Sequence, residues 1–323
     1  MKYVTLPNSG LTVSRIGFGS LWIGGVSDED AIATLRYGLD NGVTLIDTAE
    51  GYGRGAAEEL IAKAVAGRRS SAIIATKGGL DWGQHAEAAP RSTDRHINMA
   101  GHAVGDTFRN SNPKYIRASI EGSLRRLKTD YIDLYQIHYP DATTPYEETL
   151  GALEKAKGEG KIRYIGVSNF TTRQMREWLA HGPIHTLQPP FNMLDRGVGG
   201  DQLLFCRDNG IGVLTYGSLG NGLLSGAIRK CPEDWRKELK LFKGDAFEKN
   251  LAIVDRLAAV AGAAGIAMTT LAVAWVLAQP GVTTALIGPK RKGQADDLLA
   301  AADCALPDDV LEQVNLILDE YGV

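Results

Sequence analysis

Eight short apolar runs, rich in Val and Ile and separated by longer stretches with helical spacing, limit this fold most. They cover residues 15–18, 44–47, 72–77, 131–137, 162–167, 184–188, 212–215 and 283–287. Between them, 28–41 and 114–127 are typical: in the latter, Ile116, Ile120, Leu124 and Leu127 recur at helical spacing. Runs that are apolar throughout, rather than alternating, belong to a sheet covered on both faces. Eight strand–helix units predict an α/β architecture, a closed (β/α)8 TIM barrel, with a doubly wound parallel sheet as the alternative. A barrel of this kind accommodates all 323 residues as one domain, 1–323.

Ahead of the first barrel run, 2–6 and 11–14 flank Pro7-Asn8-Ser9-Gly10 and predict a β-hairpin capping one end of the barrel. Two long rim loops, 78–113 and about 217–250, break the rhythm. The first shows no sustained helical or strand period; leaving a strand at the rim, with Trp82 and Phe108 as apolar anchors, it reads as a cover over a substrate, with a flexible surface excursion as the alternative. Residues 257–279 carry no charge and are long enough to span a bilayer. Gly262 and Gly265 interrupt them and Thr269-Thr270 offers a new helix start, which predicts two buried helices instead.

A formal net charge of −3 leaves no broad electrostatic footprint for nucleic acid or an anionic membrane. Cys206, Cys231 and Cys304 are odd in number and far apart, and the N-terminus lacks the apolar core of a signal peptide. Both point to a reduced, cytoplasmic protein.

Asp47, Lys77 and His138 each stand at or just past the C-terminal end of an apolar run, and Tyr52 follows Asp47 in the turn Glu50-Gly51-Tyr52-Gly53. In a parallel barrel all four gather at the rim where such barrels do chemistry. A tyrosine with a pKa of about 10 is a poor proton donor near neutrality. A lysine ammonium about 4 Å away contributes roughly 4 kcal/mol at an effective dielectric of 20, some three pKa units. Asp47 supplies the counter-charge that a buried Lys77 requires. His138 is suited to hold a carbonyl oxygen by a hydrogen bond. The set suits reduction of C=O, with the hydride brought by another group. Read singly, each residue has a plainer explanation: a structural Asp47–Lys77 ion pair, a packed Tyr52, a satisfied core His138.

Nearly end to end, the chain resembles the aldo-keto reductase superfamily, in particular bacterial members of sugar and inositol type and the potassium-channel β subunits that share their fold. Asp47-Thr48-Ala49-Glu50-Gly51-Tyr52-Gly53 resembles the family's second-strand signature. Leu124-Arg125-Arg126-Leu127-Lys128-Thr129-Asp130-Tyr131-Ile132-Asp133-Leu134-Tyr135 and Ile165-Gly166-Val167-Ser168-Asn169-Phe170 are similar to two further tags. The resemblance implies Tyr52 as acid, Lys77 and Asp47 as its tuners, and His138 as the group that orients the carbonyl.

It also implies a nicotinamide cofactor, NADPH/NADP with NADH/NAD as the other choice, lying across the barrel rim. The chain has no Rossmann fingerprint; Gly17-Phe18-Gly19-Ser20-Leu21-Trp22 lacks the third glycine. By the family pattern Gly19 and Ser20 join Asp47 on the cofactor, Ser168, Asn169 and Gln188 hold the carboxamide, and Tyr216 stacks on the ring. Ser218, Leu219 and Gly222 lie under the pyrophosphate. Gly288, Lys290, Arg291, Gln294 and Asp297 surround the adenosine end, with Lys290 and Arg291 as a clamp for a 2′-phosphate. Lys290 stands where relatives usually have arginine, and Leu298 replaces an asparagine often found near the adenine. Trp22, Trp82 and Tyr139 are the candidate substrate-pocket residues.

The expected activity is reduction of an aldehyde or ketone. A dehydrogenase acting on a sugar or polyol is a second reading, because the same four residues serve both directions. A non-catalytic regulatory or binding subunit is a third. A metal enzyme is not expected, since His85, His96 and His102 have no cysteine nearby and no familiar ligand spacing. The expected partner is a small-molecule carbonyl or polyol, and no feature sets an oligomeric state.

Overall fold

All eight apolar runs are strands of one closed parallel barrel. The structure, a computed structural model, describes residues 1–23, 25–98 and 103–323. Thirteen strands are numbered in chain order. They are β1 (Tyr3–Thr5), β2 (Thr12–Ser14), β3 (Ile16–Gly19), β4 (Leu45–Asp47), β5 (Ile73–Gly78), β6 (Leu80–Asp81), β7 (Arg95–Ile97), β8 (Ala103–Arg109), β9 (Ile132–Ile137), β10 (Ile162–Ser168), β11 (Thr186–Gln188), β12 (Gly212–Thr215) and β13 (Val282–Ile287). The barrel runs β3-β4-β5-β9-β10-β11-β12-β13 and closes β13 onto β3. The doubly wound alternative is thereby excluded. Helices lie between the strands. In Pro113–Leu127 the side chains of Ile116, Ile120, Leu124 and Leu127 are buried as their spacing predicts, with Asn112 capping the N-terminus on Lys114 N.

The N-terminal hairpin is β1 paired with β2. Leu6, Leu11 and Val13 pack with Leu45, Ala75, Leu134, Leu214 and Leu286 in one buried cluster. They plug the end where the strands begin, so the opposite rim alone is left for chemistry. Residues 257–279 fall in two helices, Asp245–Ala263 and Met268–Ala278, bent by 93° at the break. Gly265 makes that break with φ +69°, and the second helix starts one residue before Thr269. Among the described residues no single helix is long and apolar enough to cross a membrane.

The rim segment after Lys77 departs from expectation. Where no strand period was visible, β6, β8 and β7 form a small antiparallel sheet. Its strands are two, three and seven residues long, and β8 is exposed at its start rather than alternating. Main-chain pairing and anchors such as Asn110 Nδ2 to Asp81 Oδ2, 3.0 Å, hold it. The second long loop is a pair of 3-10 turns, Gly220–Ser225 and Trp235–Glu238, running into the helix at Asp245.

Gly78, next to Lys77, is required by packing. A Cβ there would lie 1.9 Å from the Tyr135 hydroxyl and 2.3 Å from Ser119 Oγ, two atoms that share a 2.7 Å hydrogen bond. Overpacking of this kind costs about 1–3 kcal/mol. Gly78→Ala is expected to lower stability by at least that much in urea unfolding, and Tyr135→Phe in the same chain to recover part of it. Wild-type stability in Gly78→Ala would show that the strand end yields freely.

Candidate active site

The rim converges on one buried ammonium. Lys77, from β5, is fully buried. Its Nζ donates to Asp47 Oδ1 at 2.7 Å, Asp47 Oδ2 at 2.9 Å and the Thr48 carbonyl at 2.8 Å. Asp47 ends β4 and also accepts from Gln188 Nε2 of β11 at 2.7 Å, across the barrel mouth. Burial raises the Asp47 pKa and lowers that of Lys77, each against its charged form, while the contact between them pulls both back. Two short contacts, the Gln188 amide and the Thr48 carbonyl favour the ionised pair.

Tyr52 reaches the same ammonium. Its hydroxyl lies 3.4 Å from Lys77 Nζ, and its ring meets the His138 ring edge-on at 5.7 Å. Burial first, then the charge of Asp47, holds the phenol pKa well above its ordinary value. Lys77 alone therefore does not decide the acidity of Tyr52: burial is the larger influence, and the Asp47 carboxylate also opposes ionisation. His138 is pushed well below the ordinary imidazole range by burial, then by Lys77 and His96. It is neutral near neutral pH, which leaves one ring N–H to donate.

Beneath the Tyr52 turn lies a buried polar layer that no local sequence signal announced. Glu50 Oε1 accepts from Gly79 N at 3.3 Å and stands 3.2 Å from the Tyr115 hydroxyl; Oε2 is 3.3 Å from His85 Nε2. Glu58 accepts from Arg126 Nε and from Thr76 Oγ1, both at 2.6 Å. These contacts tie the turn carrying Tyr52 to the strand carrying Lys77 and to the base of the rim sheet.

The residues assigned by resemblance to the carboxamide and ring also meet. Ser168 Oγ donates to the Gln188 carbonyl at 2.8 Å; Asn169, at φ +61°, donates to the His138 carbonyl at 3.0 Å and accepts from the Tyr216 hydroxyl at 2.8 Å. Ser20 Oγ and Ser218 Oγ are buried without a hydrogen-bond partner among the described residues. Beside Ser218 and Leu219, the turn Gly220-Asn221-Gly222 has positive φ throughout, and Arg236 Nη1 donates to the Asn221 carbonyl at 3.3 Å. Arg236, fifteen positions beyond, was not singled out from sequence. Two orphaned hydroxyls and a turn of this conformation fit a polar, phosphate-bearing ligand laid along the rim.

At the far end, Lys290 and Arg291 are exposed, while the Gln294 side chain accepts from Lys290 N at 2.9 Å. Leu298 is core; it faces inward where an adenine contact was looked for. Asp297 is exposed and its carbonyl accepts from Thr270 Oγ1 at 2.7 Å. Trp22 Nε1 donates to the Gly19 carbonyl at 2.6 Å, and its ring lies against Gly288, between β3 and the end of β13. Trp82 lies near Gly51. Tyr139 stacks on His138 at 5.2 Å. His85 and His96 have separate partners, and His102 lies outside the described residues.

Comparison with known proteins agrees with this geometry. The aldo/keto reductase family model matches residues 15–319. The chain belongs to the aldo/keto reductase family. It is 37% identical over 332 residues to the aldo-keto reductase YhdN of Bacillus subtilis, an alignment covering 99% of this chain and 94% of that protein. It is 32% identical over 321 residues to the NADH-specific methylglyoxal reductase of Escherichia coli, covering 95% of each. Among solved structures it is similar to the glycerol dehydrogenase AKR11B4 of Gluconobacter oxydans, with TM-score 0.87, 35% identity, and 99% of this chain and 96% of that one covered. An aldo/keto reductase from Klebsiella pneumoniae, solved with NADP and acetate, has TM-score 0.73 and 28% identity over 98% of this chain and 96% of that one. The protein is an NAD(P)H-dependent oxidoreductase, and the reading as a non-catalytic subunit falls away.

His96 makes the rim sheet sensitive to acid. Burial first, then Arg109, lowers its pKa to about 4, with Asp94 opposing. The unfolded chain takes up this proton near pH 6.5 and the folded protein only near 4. Stability present above pH 6.5 is thus lost as pH falls towards about 4. The thermal midpoint is expected to drop more steeply over that window in wild type than in His96→Gln; parallel slopes would refute the assignment.

Proposed function

We propose that this protein reduces an aldehyde or ketone to the alcohol with NADPH, using Tyr52 as proton donor. The observation that carries the reading is Lys77 Nζ, held by Asp47 at 2.7 and 2.9 Å and 3.4 Å from the Tyr52 hydroxyl. The bound nicotinamide dinucleotide supplies the hydride. Tyr52 Oη gives its proton to the carbonyl oxygen as the carbonyl carbon is reduced, and the charge left on the phenolate faces the Lys77 ammonium. The high pKa of the resting phenol keeps the proton in place until a basic oxygen arrives. His138, neutral, donates to the same carbonyl oxygen and fixes its direction.

For the cofactor, Asp47, Ser168, Asn169, Gln188 and Tyr216 take the nicotinamide end, with Gly19 and Ser20 beside them. Ser218, Leu219 and Gly222 take the pyrophosphate, and Gly288, Lys290, Arg291, Gln294 and Asp297 take the adenosine end. The orphaned hydroxyls of Ser20 and Ser218 support this placement. The exposed Lys290 and Arg291 support NADPH over NADH, although a relative 32% identical is named NADH-specific. Similarity to a glycerol dehydrogenase supports a second reading, oxidation of a polyol in the reverse direction. The three free cysteines suit a cytoplasmic location. Nicotinamide absorbance with a panel of carbonyls and polyols, each with both cofactors, tests substrate, direction and cofactor together.

Tyr52→Phe is expected to lower the rate by at least about 10²-fold with cofactor affinity little changed in a fluorescence titration. Near wild-type turnover would remove Tyr52 from the role of acid. Replacing Lys290 and Arg291 with Ala is expected to weaken NADPH far more than NADH, since only NADPH carries the 2′-phosphate. Equal losses would make the pair an ordinary solvated turn.

A further inference from the structure

Around Tyr139 gather three buried polar atoms that have no hydrogen-bond partner among the described residues: Nδ1 of His138, Nδ1 of His96 and Nε of Arg109. Tyr139 stacks on His138 with centroids 5.2 Å apart. His96, from β7, packs on the same phenol ring at 4.5 Å, and Arg109 Cζ, from β8, stands 5.3 Å from its centroid. Through His138, whose ring also meets that of Tyr52 at 5.7 Å, Tyr139 adjoins the reacting end of the site. The rim sheet thus brings a guanidinium and an imidazole to the end of a row of rings, Tyr139 and His138, that begins at the proton donor Tyr52.

The carboxylates near Arg109 are committed elsewhere. Asp94 Oδ2 accepts from Ala142 N at 3.0 Å. Asp141 accepts from Ser111 N at 2.8 Å and from Thr143 and Thr144. Asp81 accepts from Asn110 Nδ2 at 3.0 Å and Gly83 N at 2.8 Å. Among the described residues none forms an ion pair with Arg109. Arg109 is half-buried with its Nε out of water and unpartnered, which is costly, and the forked donors of a guanidinium match a carboxylate or phosphate. His96 is neutral above about pH 4, so it adds a hydrogen bond rather than a second charge.

We propose that Arg109 and His96 form a subsite for an anionic group on the substrate. The enzyme then favours aldehydes and ketones that carry a carboxylate or phosphate a short chain away from the C=O. This rests on the carbonyl-reductase reading and names its substrate class. A neutral substrate leaves Arg109 Nε buried without a partner; an anionic one gives the guanidinium charge-assisted hydrogen bonds, a difference of about ten- to a hundredfold in affinity.

Two matched pairs test the subsite: succinic semialdehyde against its methyl ester analogue, and glyceraldehyde 3-phosphate against glyceraldehyde. For wild type, kcat/KM is expected to favour the charged member of at least one pair by about tenfold or more, chiefly through KM, and the responding pair tells carboxylate from phosphate. Arg109→Leu is expected to lower kcat/KM for that charged member far more than for its neutral partner, and Arg109→Lys to keep part of the preference. Equal kcat/KM within both wild-type pairs overturns the proposal whether or not Arg109→Leu folds, as does a preference that survives in a folded Arg109→Leu. Calorimetric titration of the NADP-bound protein with succinate and with succinamide gives a readout free of turnover. Succinate binding that exceeds succinamide binding and fades in Arg109→Leu supports the subsite even if no carbonyl is reduced, an outcome in which the reductase reading fails by itself. Equal binding of the two in wild type, with no preference in either pair, counts against it.

Discussion

The site depends on one buried contact, Lys77 with Asp47. Removing two charges from water costs several kcal/mol each, and the attraction between them offsets this only with short geometry and extra hydrogen bonds. The barrel provides both. Asp47 ends β4, Lys77 stands one position before the end of β5, and Gln188 ends β11, so three separate strands deliver the carboxylate, the ammonium and the amide that steadies the carboxylate. Losing one partner strands the other, a loss of about 3–5 kcal/mol. The pair is therefore a structural commitment as well as a chemical one. The plainer reading of Asp47 and Lys77 as a structural ion pair and the reading of them as tuners of Tyr52 describe the same contact.

Much of this was legible because barrel strands buried on both faces must be apolar throughout. Residues 131–137, broken only by Asp133 and Gln136, and 283–287 announce themselves that way, and the residue that ends or follows such a run, such as Asp47 or His138, is marked by position alone. What stayed hidden depends on distance across the fold. The contact of Glu50 with His85 and Tyr115 joins residues 35 and 65 positions apart. The rim sheet hid for a different reason: β6 is two residues long and β8 begins exposed, so no hydrophobic period marks them. The acidity of Tyr52 was also only half legible. Sequence named the cation beside it, but only the structure shows the burial that opposes ionisation of the phenol.

Charge at the rim is divided accordingly. The ammonium of Lys77 is spent on Asp47 and Thr48, and Arg126 on Glu58. Among the described residues, cations with open donors include Arg109, on the rim sheet, and the exposed Lys290 and Arg291. A paired cation organises the acid, while unpaired cations are available to ligands, and this division separates chemistry from recognition in the present site.

The most direct test of the central contact is single-turnover carbonyl reduction by Lys77→Met with cofactor bound beforehand, on protein whose fold is verified by circular dichroism. Loss of the ammonium is expected to slow the chemical step by at least about 10²-fold while cofactor affinity remains close to wild type. A folded Lys77→Met that reduces the substrate at the wild-type rate would contradict the account.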